Sequence, residues 1–303
     1  MRILLTGATG VIGRRLLPLL IGAGHSVTAV ARRPQSHAEL ARAGAVPIEV
    51  DLFAADAVRK AVAGHDAVIN LATHLPAGWR IFLPGAWAEN DRIRRLASAN
   101  LVDAAIATGA ARFIQESFAP VYPDRGGEWI DERTPIAPVG YNRSVVDAER
   151  SAERFSGSGR TGVVLRFAVF YGPDSWFTRD LIRYVRRGWA PIPGAADSYF
   201  SSVSHDDAAA AVVAALDAAP GIYNVVDDEP LRRREFFGSL AGVLGVPPPR
   251  LPPPWLKYLF GSLGEMLARS LRISNRKLRD QAGWVPKYPS MREGWPTVVA
   301  ASG

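Results

Sequence analysis

Tyr141 and Val145 stand one helical turn apart in GYNRSVVDAER, residues 140–150, so on a helix both project to the same side. Tyr141 can donate or accept a proton; Val145 cannot. Upstream, FIQESFAPVY (113–122) brings Glu116 and Ser117 to the end of a strand-like run. A carboxylate at the carboxyl end of a strand lies where open α/β sheets bind ligands, and there it can act as acid or base, with Ser117 as its polar neighbour. His74, which closes NLATH (70–74), can reach the same region. Tyr122, Tyr171 and Trp176 follow later strands and read as walls of an apolar pocket with a few polar handles. Trp79, Phe82 and Trp87, in AGWRIFLPGAW (77–87), form a candidate cover over it.

A second set of residues points to a phosphate group. TGATGVIG, residues 6–13, joins an apolar run to a helical pattern and places glycines at 7, 10 and 13. Gly7 allows the tight turn, Gly10 leaves the backbone open to a pyrophosphate, and Gly13 lets the helix pack against the sheet. The helix start then offers free N–H groups to the anion, so Thr9, Val11 and Ile12 join the expected contacts. About 20 residues past the last of these glycines, where an acid would hold a ribose 2′-hydroxyl, the chain reads AVARRP. Arg32 and Arg33 there can grip a 2′-phosphate, which favours NADP(H) over NAD(H). Asp51 and Leu52 are placed to meet the adenine edge, and Leu71, Ala72 and Thr73 to lie along the dinucleotide.

The elements that must position these groups follow from hydrophobic pattern. Short, continuous apolar runs at 2–6, 26–31, 46–50, 67–71, 112–116, 163–167 and 221–226 read as strands buried on both faces. Helical patterns at about 11–23, 36–43, 55–63, 87–108, 140–157 and 205–218 separate them. This alternation predicts an α/β fold with a doubly wound parallel sheet. Two triple-proline stretches, 247–249 and 252–254, bracket a stiff link to helical segments at about 255–270 and 275–282. Residues 1–168 are expected to form the nucleotide-binding core. Residues 169–303 complete the sheet at about 205–226 and form a small, mainly helical lobe from about 172–200 and 228–303.

Composition narrows the function classes. The 303 residues carry a net charge of +7, with 48% hydrophobic and 21% charged residues, as in ordinary globular proteins. The pI is about 10.0. Arginines are scattered in short groups such as Arg186-Arg187, so a basic surface is expected rather than a nucleic-acid partner. No apolar run reaches the roughly 18 residues of a membrane span, and MRILLTGATG does not read as a signal peptide, so no membrane association and a cytoplasmic location are expected. With no cysteine, thiolate metal sites and Cys nucleophiles are excluded, and no metal is expected.

TGATGVIG, Asp51-Leu52, NLA (70–72), NLVDAA (100–105), YGP (171–173), HDDAAAAVVAAL (205–216), YNVVDDEP (223–230) and GWVPKYPS (283–290) resemble the extended short-chain dehydrogenase/reductases, and among them the NAD(P)-dependent epimerase/dehydratase group. The resemblance runs over nearly the whole chain and implies a Rossmann core with a small substrate lobe. It also implies a catalytic Ser or Thr, a Tyr, and a Lys four residues after it. Tyr141 falls at the tyrosine. Val145 stands at the lysine, and Phe118 at the hydroxyl position four before Tyr122. A valine cannot tune a phenol whose ordinary pKa is about 10. Tyr141 is left as a neutral donor, with Glu116 and Ser117 as candidate replacements.

Two readings stay open. One is an NADP(H)-dependent enzyme acting on a small carbonyl or hydroxyl substrate, either in net redox or in a redox-neutral epimerisation, dehydration or elimination. The other is a catalytically silent NADP(H) sensor. The resemblance also implies a possible homodimer through the helices at 87–108 and 140–157.

Overall fold

The computed structural model describes the chain apart from Arg32, Ala77, Pro84 and Gly303 and the side chains of Trp79 and Phe82. The first half alternates as its hydrophobic pattern predicts: β1 (Arg2–Thr6), α1 (Gly13–Gly22), β2 (Ser26–Val30), α2 (Pro34–Arg42), β3 (Val46–Ile48), α3 (Ala55–Val62) and β4 (Ala67–Asn70). A long helical crossover follows. It runs as α4 (Ala88–Arg92), a π-helical turn (Ile93–Ala97) and α5 (Ser98–Thr108), and leads into β5 (Arg112–Phe118). After the short β6 (Trp129–Ile130), a 3₁₀ turn (Gly140–Asn142) and α6 (Val145–Gly157) return the chain to β7 (Thr161–Phe167). Then come β8 (Val169–Tyr171), α7 (Trp176–Arg186), β9 (Tyr199–Phe200), β10 (Ser202–Ser204), α8 (His205–Ala214) and β11 (Gly221–Val225). The remainder is β12 (Leu231–Arg232), α9 (Arg233–Leu244), a 3₁₀ segment (Pro254–Phe260), α10 (Gly261–Ala268), β13 (Arg272–Ile273), α11 (Arg276–Ala282) and α12 (Met291–Ala300).

Seven strands form one parallel sheet in the order β11-β7-β5-β4-β1-β2-β3. The winding reverses between β1 and β4, and the carboxyl ends of those two strands open the crevice where such sheets bind ligands. Both faces are covered, which is why the strands are apolar throughout. Ile3, Leu5, Ile114 and Leu165 pack on one face, and Leu4, Val68, Phe113 and Val164 on the other. A third cluster, centred on Tyr171, Phe200, Phe236, Phe237 and Trp295, holds α7, α9 and α12 together.

Three predicted helices differ in detail. The 87–108 helix contains the π-helical turn, the 140–157 helix starts as a 3₁₀ turn, and the segment at 255–270 is 3₁₀ before it becomes α10. Helices α7, α9 and α12 are not expected from periodicity, although Ser290 and Glu293 form a capping box at the start of α12 and α9 stops at Gly245 in the left-handed region.

One ionic cluster ties the phosphate loop to the second half of the chain. The Arg15 guanidinium, on α1, grips both oxygens of Asp174 (2.9 and 3.0 Å), reaches Asp206 (2.6 Å) and donates to the carbonyl of Val11 (3.0 Å). His205 Nδ1 lies 3.1 Å from Asp174. Gly172 makes this possible, because a Cβ there would sit 2.0 Å from that ring nitrogen. The His205 contact, followed by the Arg15 pair, holds the Asp174 carboxyl well below the usual carboxylate range, against the opposing effect of burial. A depressed carboxylate pKa stabilises the fold above the unfolded value, near pH 4, and that contribution is lost as pH falls below it. Asp174→Asn should therefore melt below wild type at pH 7, with the gap closing progressively below about pH 4. Thermal unfolding of both proteins across that range checks this.

Candidate active site

The phosphate loop is built for close approach of backbone to backbone. Gly7 has φ +71, and a Cβ on it would stand 2.3 Å from the carbonyl oxygen of Leu71. At Gly13 a Cβ would come within 2.2 Å of the Gly7 carbonyl. The loop is closed by the Gly10 N–H donating to that same carbonyl (3.0 Å). Thr9 and Gly10 are exposed at its tip, Val11 is half-buried, and Ile12 is buried, holding the start of α1 against the core. This loop fits a dinucleotide pyrophosphate: a side chain at Gly7 or Gly13 would collide with the backbone that shapes it.

The rest of the expected cofactor surface lies along the same crevice. Leu71 is buried, Ala72 and Thr73 are half-buried, and the Asn70 side chain accepts from the Ala72 N–H (3.3 Å). Asp51 is exposed and accepts from the Phe53 N–H (2.9 Å), and the Leu52 carbonyl takes the Asn100 amide (3.0 Å). Arg33 is exposed and precedes the first turn of α2. Arg32 lies outside the described residues.

Tyr141 sits in the 3₁₀ turn before α6. Asn142 fixes that turn by accepting from the Val139 N–H (2.8 Å) and donating to the Pro120 carbonyl (3.1 Å). The Trp87 ring meets the Tyr141 ring edge-on, with centroids 4.2 Å apart, and is held by its own bond to the Ile81 carbonyl (3.0 Å). Of the three residues expected to cover the site, Trp87 touches Tyr141, and the side chains of Trp79 and Phe82 lie outside the described residues. Burial pushes the Tyr141 phenol well above its ordinary range, against the opposing charge of Arg94 and with a small push from Asp91. Tyr141 is a neutral hydroxyl at physiological pH. Val145 is fully buried.

Arg94 is the residue the sequence did not single out. It lies on the π-helical turn, is 6% exposed, and pairs with Glu116 at 3.2 Å. The pair is incompletely satisfied: Arg94 Nε and Glu116 Oε2 are buried with no partner among the described residues. Such free polar atoms cost stability unless something else meets them. Glu116 and Arg94 therefore form a buried pair at the carboxyl end of β5, and the Arg94 charge reaches Tyr141. A signal was available, since RIRRL carries charges at 92, 94 and 95, which a helix spreads too widely to keep all of them on a solvent face.

Ser117 is a correction. As the next residue on β5 it faces the other side, where its hydroxyl donates to Glu149 (2.5 Å). Glu149 is gripped at both oxygens by Arg166 (2.8 and 2.7 Å), which also donates to the Tyr122 hydroxyl (2.8 Å). Tyr122 in turn donates to Asn224 (2.9 Å). Its ring is completely buried, and burial raises its hydroxyl to about 12. Tyr122 is therefore a core strut and not a pocket wall. Tyr171 is corrected likewise: it is 1% exposed, packed on Trp295, with Gly294 leaving room for its hydroxyl. Trp176 is half-buried at the start of α7, against Phe177. His74 is exposed, and its backbone N–H is held by Asn90 (2.9 Å).

Residues 3–225 match the family model for the NAD dependent epimerase/dehydratase family. The chain belongs to that family. Among curated relatives, the 3-diazoavenalumate denitrifying reductase of a Streptomyces species is 34% identical, over 97% of this chain and 99% of its own. The 2-alkyl-3-oxoalkanoate reductase of Shewanella oneidensis is 26% identical over 90% of this chain and 73% of its own. Two solved structures share the fold: human epimerase family protein SDR39U1 with NADPH (TM-score 0.82, 21% identical, 99% of both chains) and Thermus thermophilus UDP-glucose 4-epimerase with NAD (TM-score 0.79, 24% identical, 100% of this chain and 99% of that one).

This epimerase/dehydratase family member has the glycine loop, and Phe118 and Val145 stand where the resemblance implies a hydroxyl residue and a lysine. Ser117→Ala should leave turnover within a few-fold of wild type and lower stability by about 1–3 kcal/mol, the cost of a buried partner left unpaired. Steady-state rates beside denaturant unfolding check it, and a large loss of rate at unchanged stability would restore Ser117 to the chemistry.

Proposed function

We propose that the protein is an NADP(H)-dependent reductase that acts on a small carboxylate substrate carrying an electrophilic carbonyl or diazo centre. The observation that carries this is the combination of an intact phosphate cradle with the buried Glu116–Arg94 pair at the carboxyl end of β5, whose Arg94 charge reaches Tyr141. When bound, the cofactor supplies a hydride. Gly7, Gly10 and Gly13 receive the pyrophosphate, and Arg32 with Arg33 favours the form bearing a 2′-phosphate.

Tyr141 remains protonated and serves as a hydrogen-bond donor to the substrate; its burial disfavours the phenolate that a lysine would otherwise promote. Glu116 is the candidate proton carrier. Arg94 holds it in place through their ion pair. Trp87 packs against the Tyr141 ring and holds it in place.

Two relatives support the substrate class, since both are reductases named for carboxylates, one a diazo compound and one a 3-oxo acid. Once protonated, a diazo centre is a diazonium and electrophilic: with a hydride from the cofactor when bound, a C–H bond forms, the C–N bond breaks and dinitrogen leaves, so no carbonyl oxygen has to be polarised by a hydroxyl and a lysine. A silent NADP(H)-binding sensor is the second reading, favoured by Val145 and Phe118.

Parallel titrations with NADPH and NADH test the reading. NADPH should bind at least about tenfold tighter, with that margin lost in Arg32→Ala or Arg33→Ala. On 3-oxo and diazo carboxylates, Tyr141→Phe and Glu116→Gln should each lower kcat by about 10²–10⁴-fold, the range of general acid–base groups. Binding of neither nucleotide would sink the proposal. NADPH binding without oxidation by any of these substrates would favour the sensor.

A further inference from the structure

A second buried arginine lies beyond Phe118. Arg233 opens α9, is 1% exposed, and has no carboxylate within salt-bridge distance among the described residues. Its Nε donates to the Ser198 hydroxyl (2.7 Å), and its Nη2 donates to the carbonyls of Leu267 and, at 3.2 Å, Arg269. The Nη1 nitrogen is buried without a partner. The backbone makes room for this group: a Cβ on Gly194 would stand 2.3 Å from its Nε. Burial pulls the guanidinium down to about 10, still charged at neutral pH, with only distant Asp124 opposing that shift.

The guanidinium borders a narrow slot walled by Phe118, Val169, Phe200, Met266 and Leu271, with Arg269 as its second charged residue. The free space is about 20 Å³, enough for one water-sized group such as a carboxylate oxygen. Arg269 is mostly spent on the carbonyls of Tyr122 (2.7 Å) and Ala137 (2.8 Å) and on the exposed carboxylate of Glu265 (3.1 Å). The slot therefore holds a net positive charge in apolar surroundings, which is unfavourable until an anion arrives. Its Phe118 wall belongs to the same strand as Glu116. Phe118 and Glu116 lie two residues apart on one side of β5, and α10, which supplies Met266, approaches the Tyr141 turn, where a Cβ on Gly140 would be 3.7 Å from the Ser262 hydroxyl.

We propose that Arg233 seats the carboxylate of the substrate in this slot, with the apolar body of the molecule leading past Phe118 to Glu116 and Tyr141. This rests on the reductase reading for its substrate and extends it by naming the anchor. An arginine whose Nη1 is free meets a carboxylate with charge-assisted hydrogen bonds, and a neutral amide at the same place leaves the charge uncompensated.

The test is calorimetric titration of the NADPH-loaded protein with hexanoate, benzoate and trans-cinnamate, each beside its neutral amide. At least one carboxylate should bind about ten- to a hundredfold tighter than its amide. Arg233→Lys and Arg233→Gln, with folding checked by unchanged NADPH affinity, should lose that preference. No preference in wild type, or a preference that survives in folded Arg233 variants, overturns the proposal. If neither variant folds, Met266→Trp fills the slot from α10 and decides: a lost preference supports the seat and a retained one overturns it. Arg233-dependent carboxylate binding without NADPH oxidation would sink the reductase reading alone. Oxidation with neutral substrates and no carboxylate preference would sink the seat alone.

Discussion

Arg166 cannot be buried alone. Carrying a guanidinium into the sheet costs on the order of several kcal/mol unless a partner meets it with good geometry. Glu149 meets it from α6 with both oxygens, and Ser117, Tyr122 and Asn224 complete the shell. That one pair spans β7 and α6, and its shell reaches β5 and β11. It fixes the height at which α6 sits over the carboxyl edge of the sheet. The position of Tyr141, immediately before α6, follows from it. So does the fate of Ser117, whose hydroxyl is claimed by the shell and cannot also face the crevice.

The parallel sheet was legible because both-face burial writes itself as continuous apolar runs, and RILLT, SVTAV and TGVVLRF leave little alternative. The phosphate loop was legible because its glycines answer a steric demand that only glycine meets. The side chains at the crevice were less so. Strand alternation separates Glu116 from Ser117, yet no pattern announces which of the two faces the crevice when both flanks are buried. Tyr122 and Tyr171 follow strands, as pocket residues do, and are core members because long-range partners, Asn224 and Trp295, are waiting for them.

Arginine was the most misleading residue type. An excess of basic residues reads as a solvated surface, and for Arg186 and Arg187 that is correct. Arg94, Arg166, Arg233 and Arg269 are all less than a tenth exposed. All four make most of their hydrogen bonds to groups at least 17 residues away, so local composition holds no trace of them. Planarity, several donors and weak hydration suit the guanidinium to such interior posts, where a lysine would shed its proton or stay outside.

The π-helical turn at Ile93–Ala97 is a matter of counting. A turn that bonds to the fifth residue rather than the fourth holds one residue more than the helix needs, and each residue of an α-helix advances the side chains by about 100°. Everything upstream of that turn is rotated by this amount relative to α5, and it is in this rotated frame that Trp87 meets Tyr141. Shortening the crossover by a single residue would preserve the sheet, the core and the glycine loop while swinging the tryptophan away from the phenol. The shelter over this site is thus an insertion that the fold could lose without losing itself, and loop-length variation among descendants of this chain would change what the crevice admits before it changed anything else.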